Sequence, residues 1–250
     1  MTSTAAFEMA MVHRFLRNEL HGVPELINGV RAGDAKRAAV VNAHLSFIVA
    51  VLHHHHASED DLIWPKLHAR VPLCDHDICR MEDEHRAIAA GVDTAKATGS
   101  VWAKTGAPSA AERLRTAVDE LIGLVDGHLD DEERDVVPLI EGCITAPEWK
   151  KVTARGASFL RTHPRLGLVF AGCVLEGVSD EDKHRFLAGV PSAARMMWQL
   201  VGARTYKGYR AKLYSPALYI RIPRAVEPCV KNTVYDDATH TTRCRPRTRQ

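Results

Sequence analysis

Six residues of two types repeat within the first 132 positions, in the order His13, His55, Glu59, His85, His128 and Glu132. In each set of three, a lone His precedes a His-x-x-x-Glu pair, by 42 positions in the first set and by 43 in the second. Residues four apart on a helix face the same way, so each pair can deliver one nitrogen and one oxygen to a common centre. Two such sets are what a two-metal site inside a four-helix bundle requires.

The donor types limit the metals that this site would hold. Mixed imidazole and carboxylate ligands suit iron or manganese, and also zinc. Each of two metals would take two histidines, and Glu59 and Glu132 would bridge them. A bundle that holds structural zinc is the weaker alternative, which metal analysis of protein purified without added metal would decide.

Four long helical patterns position these residues, at about 6–30, 35–69, 75–97 and 109–142. Asp34 is the predicted N-cap of the second helix, and Ser109 followed by Glu112 resembles a capping box for the fourth. Residues 98–108 are predicted to form a loop. Bends or breaks are expected at three prolines, Pro24, Pro65 and Pro138.

All six candidates fall on the apolar seam of their helices, at positions spaced three and four apart. Buried polar side chains without partners would be costly, and a shared metal centre removes that cost. We therefore expect an all-α protein whose residues 1–145 form an up-down-up-down four-helix bundle. Residues 146–214 should form short helices packed on or appended to the bundle, with starts near Thr145, Ser179 and Pro191. Residues 215–250 should form a basic, mobile tail.

Composition supports a helical protein of the reducing cytoplasm. Apolar residues make up 46% of the chain and aromatic residues only 6%. The six cysteines form no C-x-x-C pair, and no secretory leader or bilayer-spanning segment is recognised. From Arg204 to Gln250 there are 11 Lys or Arg against 3 Asp or Glu, without a nucleic-acid-binding motif. We expect neither a nucleic-acid partner nor a membrane; the sequence leaves the oligomeric state open.

Over residues of about 8–142 the sequence resembles the hemerythrin-like family. The resemblance rests on the order His…His-x-x-x-Glu…His…His-x-x-x-Glu and on the flanking segments 55–65 and 81–85. It implies a four-helix bundle holding two iron ions with an oxo or hydroxo bridge. The ligands would be the six residues of the repeat.

The sequence departs from the oxygen-carrying members of that family at two positions. Those proteins have a fifth histidine one turn before the third-helix ligand, where this chain has Met81, and an Asp five positions after the last His, where this chain has Glu132 four after. One ligand fewer leaves more open coordination, which favours reaction with a small oxidant over reversible oxygen carriage. His54 and His76 are candidates for a fifth nitrogen. Off-seam histidines should face solvent or contact a ligand from outside (His53, His54, His56) or lie on the surface (His44, His68).

The leading functional hypothesis is a non-haem diiron protein that binds and reacts with dioxygen, hydrogen peroxide or nitric oxide in stress defence. An external electron donor would reduce it, and peroxide or nitric oxide consumption is a possible activity. No tyrosine precedes Tyr206, so we expect no phenol in the bundle. The alternative is a non-enzymatic oxygen or iron sensor that signals through residues 146–250.

A ferritin-like diiron site is the structural rival. Its Glu-x-x-His motif occurs here at Glu82 with His85 and at Glu181 with His184. The two copies are about 100 residues apart, and the second begins a short helix outside the predicted bundle. This reading also leaves three seam histidines buried without a role, so it is the weaker one.

Overall fold

The computed structural model describes residues 4–215, and these form helices joined by short turns, with no strand among them. Four long helices make the bundle, namely α1 (Thr4–Asn28), α2 (Ala35–Leu62), α4 (Asp75–Thr105) and α5 (Pro108–Asp131). A short α3 (Trp64–Arg70) continues α2, and a π-helical segment (Glu132–Val136) and α6 (Val137–Cys143) continue α5. The expected all-α bundle is confirmed. The predicted tail, 215–250, lies outside the described residues but for Ser215.

Local chemistry sets several helix boundaries as expected. The Asp34 side chain accepts a hydrogen bond from the Arg37 backbone N–H at the start of α2. The helix stops at Leu62 and a new one begins at Trp64, just before Pro65. Pro24 lies inside α1 without ending it.

The predicted loop at 98–108 is wrong, because α4 continues to Thr105. Gly99 lies within this helix, and a Cβ added there would come within 2.2 Å of the Asn42 side chain on α2. This glycine therefore permits close helix packing and does not mark a turn. The true end is Gly106, whose φ of 60° gives a left-handed C-cap. The expected capping box at Ser109 is also absent, because the N-cap of α5 is Ala107.

Six further helices follow the bundle in the described chain, α7 (Ala146–Gly156), α8 (Ser158–Thr162), α9 (Pro164–Leu175), α10 (Asp180–Gly189), α11 (Ser192–Met197) and α12 (Ala203–Leu213). A capping box between Thr145 and Glu148 starts α7, and the Ser179 side chain caps α10. Apolar residues of α9 and α12, such as Val169 and Leu213, belong to the same buried cluster as the core of the long helices. These helices are therefore packed on the bundle.

A largely buried polar network attaches α12 to the bundle; we call its members Glu19, His44, Tyr209 and Arg210 the Arg210 network. Arg210 donates to both oxygens of Glu19, at 2.9 and 2.5 Å. His44 Nδ1 lies 2.8 Å from the Tyr209 hydroxyl, and its Nε2 lies 3.5 Å from Glu19. One expectation is thus corrected, because His44 is buried rather than superficial. The bundle helices contain no tyrosine, as expected, but α12 packs Tyr209 against the bundle core.

One stretch of the described chain, Ala35–Arg70, is long and apolar enough to cross a membrane by length and composition alone. Buried core helices pass the same test. More than half of its most apolar window is covered by the rest of the protein.

Candidate metal centre

The four bundle helices bring all six sequence-predicted residues together in the interior. We call this group the six-residue cluster, and every member is 8% exposed or less. α1 supplies His13, α2 supplies His55 and Glu59, α4 supplies His85, α5 supplies His128, and the π-helical segment supplies Glu132. The four histidines form two pairs, since His13 Nε2 lies 3.2 Å from His55 Nε2 and His85 Nε2 lies 3.2 Å from His128 Nε2.

The two glutamates each reach both histidine pairs. Glu59 has one oxygen 3.1 Å from His55 Nδ1 and the other 3.7 Å from His85 Nε2. One oxygen of Glu132 lies 3.2 Å from His13 Nε2 and 3.8 Å from His128 Nε2. Although these separations are short, none of the four carboxylate oxygens has a hydrogen bond of acceptable geometry. Each carboxylate therefore lies between the two pairs with its oxygens free to bind a cation.

The local backbone explains the position of Glu132. Pro138 has no N–H to donate, and its ring would collide with the carbonyl group of Arg134 in a regular helix. The chain widens into a π-helical turn instead, in which the Val137 N–H bonds to the Glu132 carbonyl group. Such turns often occur at functional sites, where they redirect a side chain. The sequence pattern predicted a break near Pro138 but did not predict its form.

Three carboxylates outside the cluster fix the orientation of three of its histidines. Glu133 lies 2.8 Å from His13 Nδ1, and Glu84 lies 2.9 Å from His128 Nδ1. Asp60 lies 2.7 Å from His85 Nδ1 and also accepts from the Trp64 indole. A carboxylate accepts, so the Nδ1 of each of these rings is the donor, and in the neutral ring Nε2 carries the lone pair.

Two arginines lie on the solvent side of two of these outer carboxylates, Glu133 and Glu84. Arg17 donates to Glu133 at 2.7 Å and to Asp130 at 2.6 Å. Arg80 pairs with Asp131 and Asp135 and lies 3.6 Å from Glu84. From the sequence, Asp60, Asp61, Asp130 and Asp131 are expected to form a solvated face, from which one could orient a ligand imidazole, and Asp60 does so. Sequence reasoning missed Glu84 and Glu133, whose only signal was that each adjoins a member of the cluster.

The facing ring nitrogens require a cation. With Nδ1 as the donor in both His85 and His128, the two Nε2 lone pairs point toward each other at 3.2 Å. Two lone pairs at this distance repel unless a proton or a metal ion lies between them. Burial is the largest influence on the pKa of His128 and lowers it, despite the raising influence of Glu132, so a proton is disfavoured there.

Burial, repulsion and attraction together shift the pKa values of the other four members of the cluster. Burial and the neighbouring His13 lower the pKa of His55 to about 3. Burial and the Glu132 charge raise the pKa of Glu59 well above its usual range. Burial acts against the charged forms of His13 and Glu132, but their mutual contact outweighs it, raising the pKa of His13 and lowering that of Glu132. A bound cation would replace the protons that this crowded site otherwise needs.

His56 is a further buried histidine. It was expected to face solvent or to contact a ligand from outside, and since only 6% of it is exposed the first placement is wrong. Its ring stacks on that of His85, with centroids 3.9 Å apart and planes 10° from parallel. The two residues named as fifth-nitrogen candidates do not join the cluster's donor groups. His54 stacks instead on Phe159, and His76 belongs to none of the metal-binding groups of the described residues.

The comparison with known families agrees with this geometry. The hemerythrin HHE cation binding domain matches residues 4–142, more than half of the chain, and the protein belongs to this family. No curated protein and no solved structure matches the chain. Three groups of the buried donors could each hold a metal ion: His13, His55 and Glu132; His55, His56 and Glu59; and His56, His85 and His128. The chain is therefore a helical, cation-binding protein of the hemerythrin type.

Proposed function

We propose that the six-residue cluster holds two iron ions and that the protein reacts there with a small oxidant, namely dioxygen, hydrogen peroxide or nitric oxide. One observation carries the proposal. Two pairs of facing Nε2 atoms, each 3.2 Å apart, flank two fully buried carboxylates whose four oxygens have no hydrogen-bond partner. Buried polar atoms are nearly always partnered, so a set this large without hydrogen bonds supports cation binding by the cluster.

The arrangement of the glutamates supports two ions rather than one. Glu59 and Glu132 both extend from the His13–His55 pair to the His85–His128 pair. A carboxylate that faces two pairs of nitrogens can give one oxygen to each of two ions. Two bridging carboxylates would also offset part of the charge that two divalent ions bring into an apolar interior.

The donor set favours iron over zinc. Structural zinc sites take four ligands in a closed tetrahedron, often with cysteine thiolates, and no cysteine belongs to the cluster. Imidazole and carboxylate together suit iron, and open positions on bound iron would supply electron exchange with dioxygen, peroxide or nitric oxide. Four buried apolar residues lie within two helical turns of His55, His85 or His128 along their helices, namely Leu52, Ile88, Leu121 and Val125. Their side chains exclude water from this part of the bundle.

Iron loading combined with matched variants tests the metal assignment. Purified protein reconstituted anaerobically with ferrous iron should bind two ions per chain. His55→Ala and His128→Ala should each lose iron, whereas His53→Ala, an exposed neighbour on α2, should keep both ions. Full iron binding by both cluster variants would refute the assignment.

Reaction with oxidants is measured separately on the loaded protein. The reduced protein should change its absorption spectrum on addition of dioxygen, peroxide or nitric oxide, and turnover would require a reductant from outside the chain. A role in oxidative or nitrosative stress in the cytoplasm belongs to the same proposal. Absence of reaction with all three oxidants, in protein that holds two iron ions, would reject the reactive function while leaving the metal site intact.

A sensor is the second candidate, and contacts from the C-terminal helices favour it. Arg14, next to His13, donates to the carbonyl groups of Val174 and Glu176 at 2.7 Å each. His54, next to His55, stacks on Phe159 of α8. If metal binding moved α1 or α2, these contacts would transmit the movement to residues 146–215. Limited proteolysis of iron-free and iron-loaded protein should then give different cleavage within 146–215, and identical patterns would reject this candidate.

A further inference from the structure

His56 has the location of a ligand and lacks the partners of a structural histidine. It follows His55 on α2 and is buried against two rings of the cluster. It stacks on His85 and meets His128 edge-on, with centroids 4.9 Å apart. Its Nε2 is buried and has no hydrogen-bond partner in the described structure. By contrast, both ring nitrogens of each histidine in the six-residue cluster contact another polar atom.

Packing alone does not account for an imidazole at this position. A buried nitrogen without a hydrogen bond costs about 1–3 kcal/mol, which an apolar ring of the same shape would not incur. Phe or Leu could fill the space beside His85 without that cost. The polar ring is therefore explained by what its nitrogen binds.

His56 belongs to two candidate donor groups, one with His55 and Glu59 and one with His85 and His128, and its ring lies nearer to the rings of the second group. One ligand atom from each of His56, His85 and His128 lies within 4.8 Å of the other two, and the three residues are all buried. Atoms bound to one ion at about 2.1 Å are at most about 4.2 Å apart. Because the His56 ring lies nearly parallel to the His85 ring, it must turn out of this stack for its nitrogen to point at the same ion as His85. His13 and His55 form a comparable group with Glu132 on the other side.

Helix α4 does not offer a competing nitrogen. Met81 stands one turn before His85, where a histidine could have pointed at the same centre. It is fully buried among apolar side chains that include Ile63, Trp64 and Ile78. The extra imidazole on this side of the site comes from α2 instead.

We propose that His56 is a seventh metal ligand, which binds the ion held by His85 and His128 and gives that ion three imidazoles. This inference rests on the proposed metal centre. It makes the two ions chemically different, with three nitrogens at one position and two at the other.

Two substitutions separate the effect of the His56 nitrogen donor from that of its aromatic ring. His56→Ala removes both, and His56→Phe keeps an aromatic ring for stacking on His85 but has no nitrogen. Loss of an outer hydrogen-bond partner costs a metal site 10–100-fold in affinity, so loss of a direct donor should weaken one of the two ions by about 100-fold or more. Competition with a chelator measures this change, and Mössbauer spectra of protein loaded with 57Fe should show one of two iron signals altered and the other retained.

Controls identify which claim fails. His53→Ala should match the native protein, and free imidazole should restore the native spectrum of His56→Ala but not that of His56→Phe. If His56→Ala fails to fold, His56→Phe carries the test alone. Native affinity and spectra in His56→Phe would overturn the inference and leave the proposed centre standing. Absence of iron from the native protein would instead reject the proposed centre itself.

Discussion

The molecule contains one buried and one largely buried polar group built from similar residues, and they differ in how their polar atoms are satisfied. In the Arg210 network the guanidinium donates to both oxygens of Glu19 and to the Tyr206 hydroxyl, and His44 lies between Tyr209 and Glu19. In the six-residue cluster both glutamates lack hydrogen bonds altogether. The first group is complete as protein, whereas the second is complete only with cations. Burial of histidine and glutamate is thus no sign of a metal site until the partners are counted.

Iron removal should cause the largest loss of stability that we predict, and it acts on the six-residue cluster and not on the Arg210 network. An ion that binds only the folded state stabilises it by about 2.7 kcal/mol when its free concentration is one hundred times the dissociation constant. Two ions would therefore contribute roughly 5 kcal/mol. Denaturant unfolding of the loaded protein, with and without a chelator, should show this loss. The same midpoint in both conditions would contradict a metal-dependent cluster.

Disrupting the Arg210 network should lower the free energy of unfolding by nearly as much but should leave the iron content unchanged. Arg210→Met would leave the Glu19 carboxylate buried without its partner, since Glu19 is only 5% exposed. Loss of one member of a buried ion pair costs about 3–5 kcal/mol. Chemical denaturation should show this loss while metal analysis still finds the native iron content.

Matched substitutions sharpen this test. Arg204→Met changes an exposed arginine of the same helix and should have little effect. Adding Glu19→Gln to Arg210→Met should recover part of the lost stability, because the unpaired charge is removed. Iron loss in Arg210→Met at a temperature where the protein remains folded would show that the two groups are coupled.

The outer carboxylates offer a smaller and more selective change to the cluster. Asp60→Asn should weaken iron binding by about 10–100-fold, because it perturbs the hydrogen bond that fixes the His85 ring. Chelator competition measures the affinity. Asp61→Asn is the control, since the neighbouring carboxylate pairs with Arg155 at the surface. Equal affinities for the two variants would mean that Asp60 does not position the ring.

The fold was predictable wherever local chemistry decides it. The Asp34 cap, the break before Pro65 and the helix start at Thr145 all follow from side chains within a few positions. The end of α4 was not predictable in this way. Gly99 reads as a helix breaker, but its role is to let α2 approach, and that approach is a property of the packed bundle.

The candidate site shows the same division. Helical periodicity placed the six repeat residues on one seam, and the structure brings them together. His56 falls beside that seam, and its burial depends on where the His85 ring from α4 comes to rest. His44 was misplaced for a similar reason, because the chain segment that covers it begins more than 150 positions later. Residues buried by distant segments carry no local signal.

The smallest effect we predict is a pH dependence that belongs to the Arg210 network alone. His44 faces Glu19 of α1 and Tyr209 and Arg210 of α12, and its burial together with the Arg210 charge lowers its pKa to about 3. The unfolded chain has a histidine pKa near 6.5, so below that pH the unfolded state binds more protons than the folded state. The contribution of a neutral His44 is fully present above pH 6.5 and is lost as the pH falls toward 3.

A substitution at His44 isolates this contribution from that of the cluster histidines, which are common to both proteins. Between pH 7.5 and pH 5.5 the native protein should lose about 1.4 kcal/mol more stability than His44→Gln, whose amide does not titrate. Denaturant unfolding at the two pH values, with iron removed from both proteins, measures the difference. Equal losses would mean that His44 is protonated in the folded state. The Arg210 network would then hold a charge that its geometry does not accommodate. It could no longer be contrasted with the metal centre as a group whose polar atoms are satisfied by the protein alone.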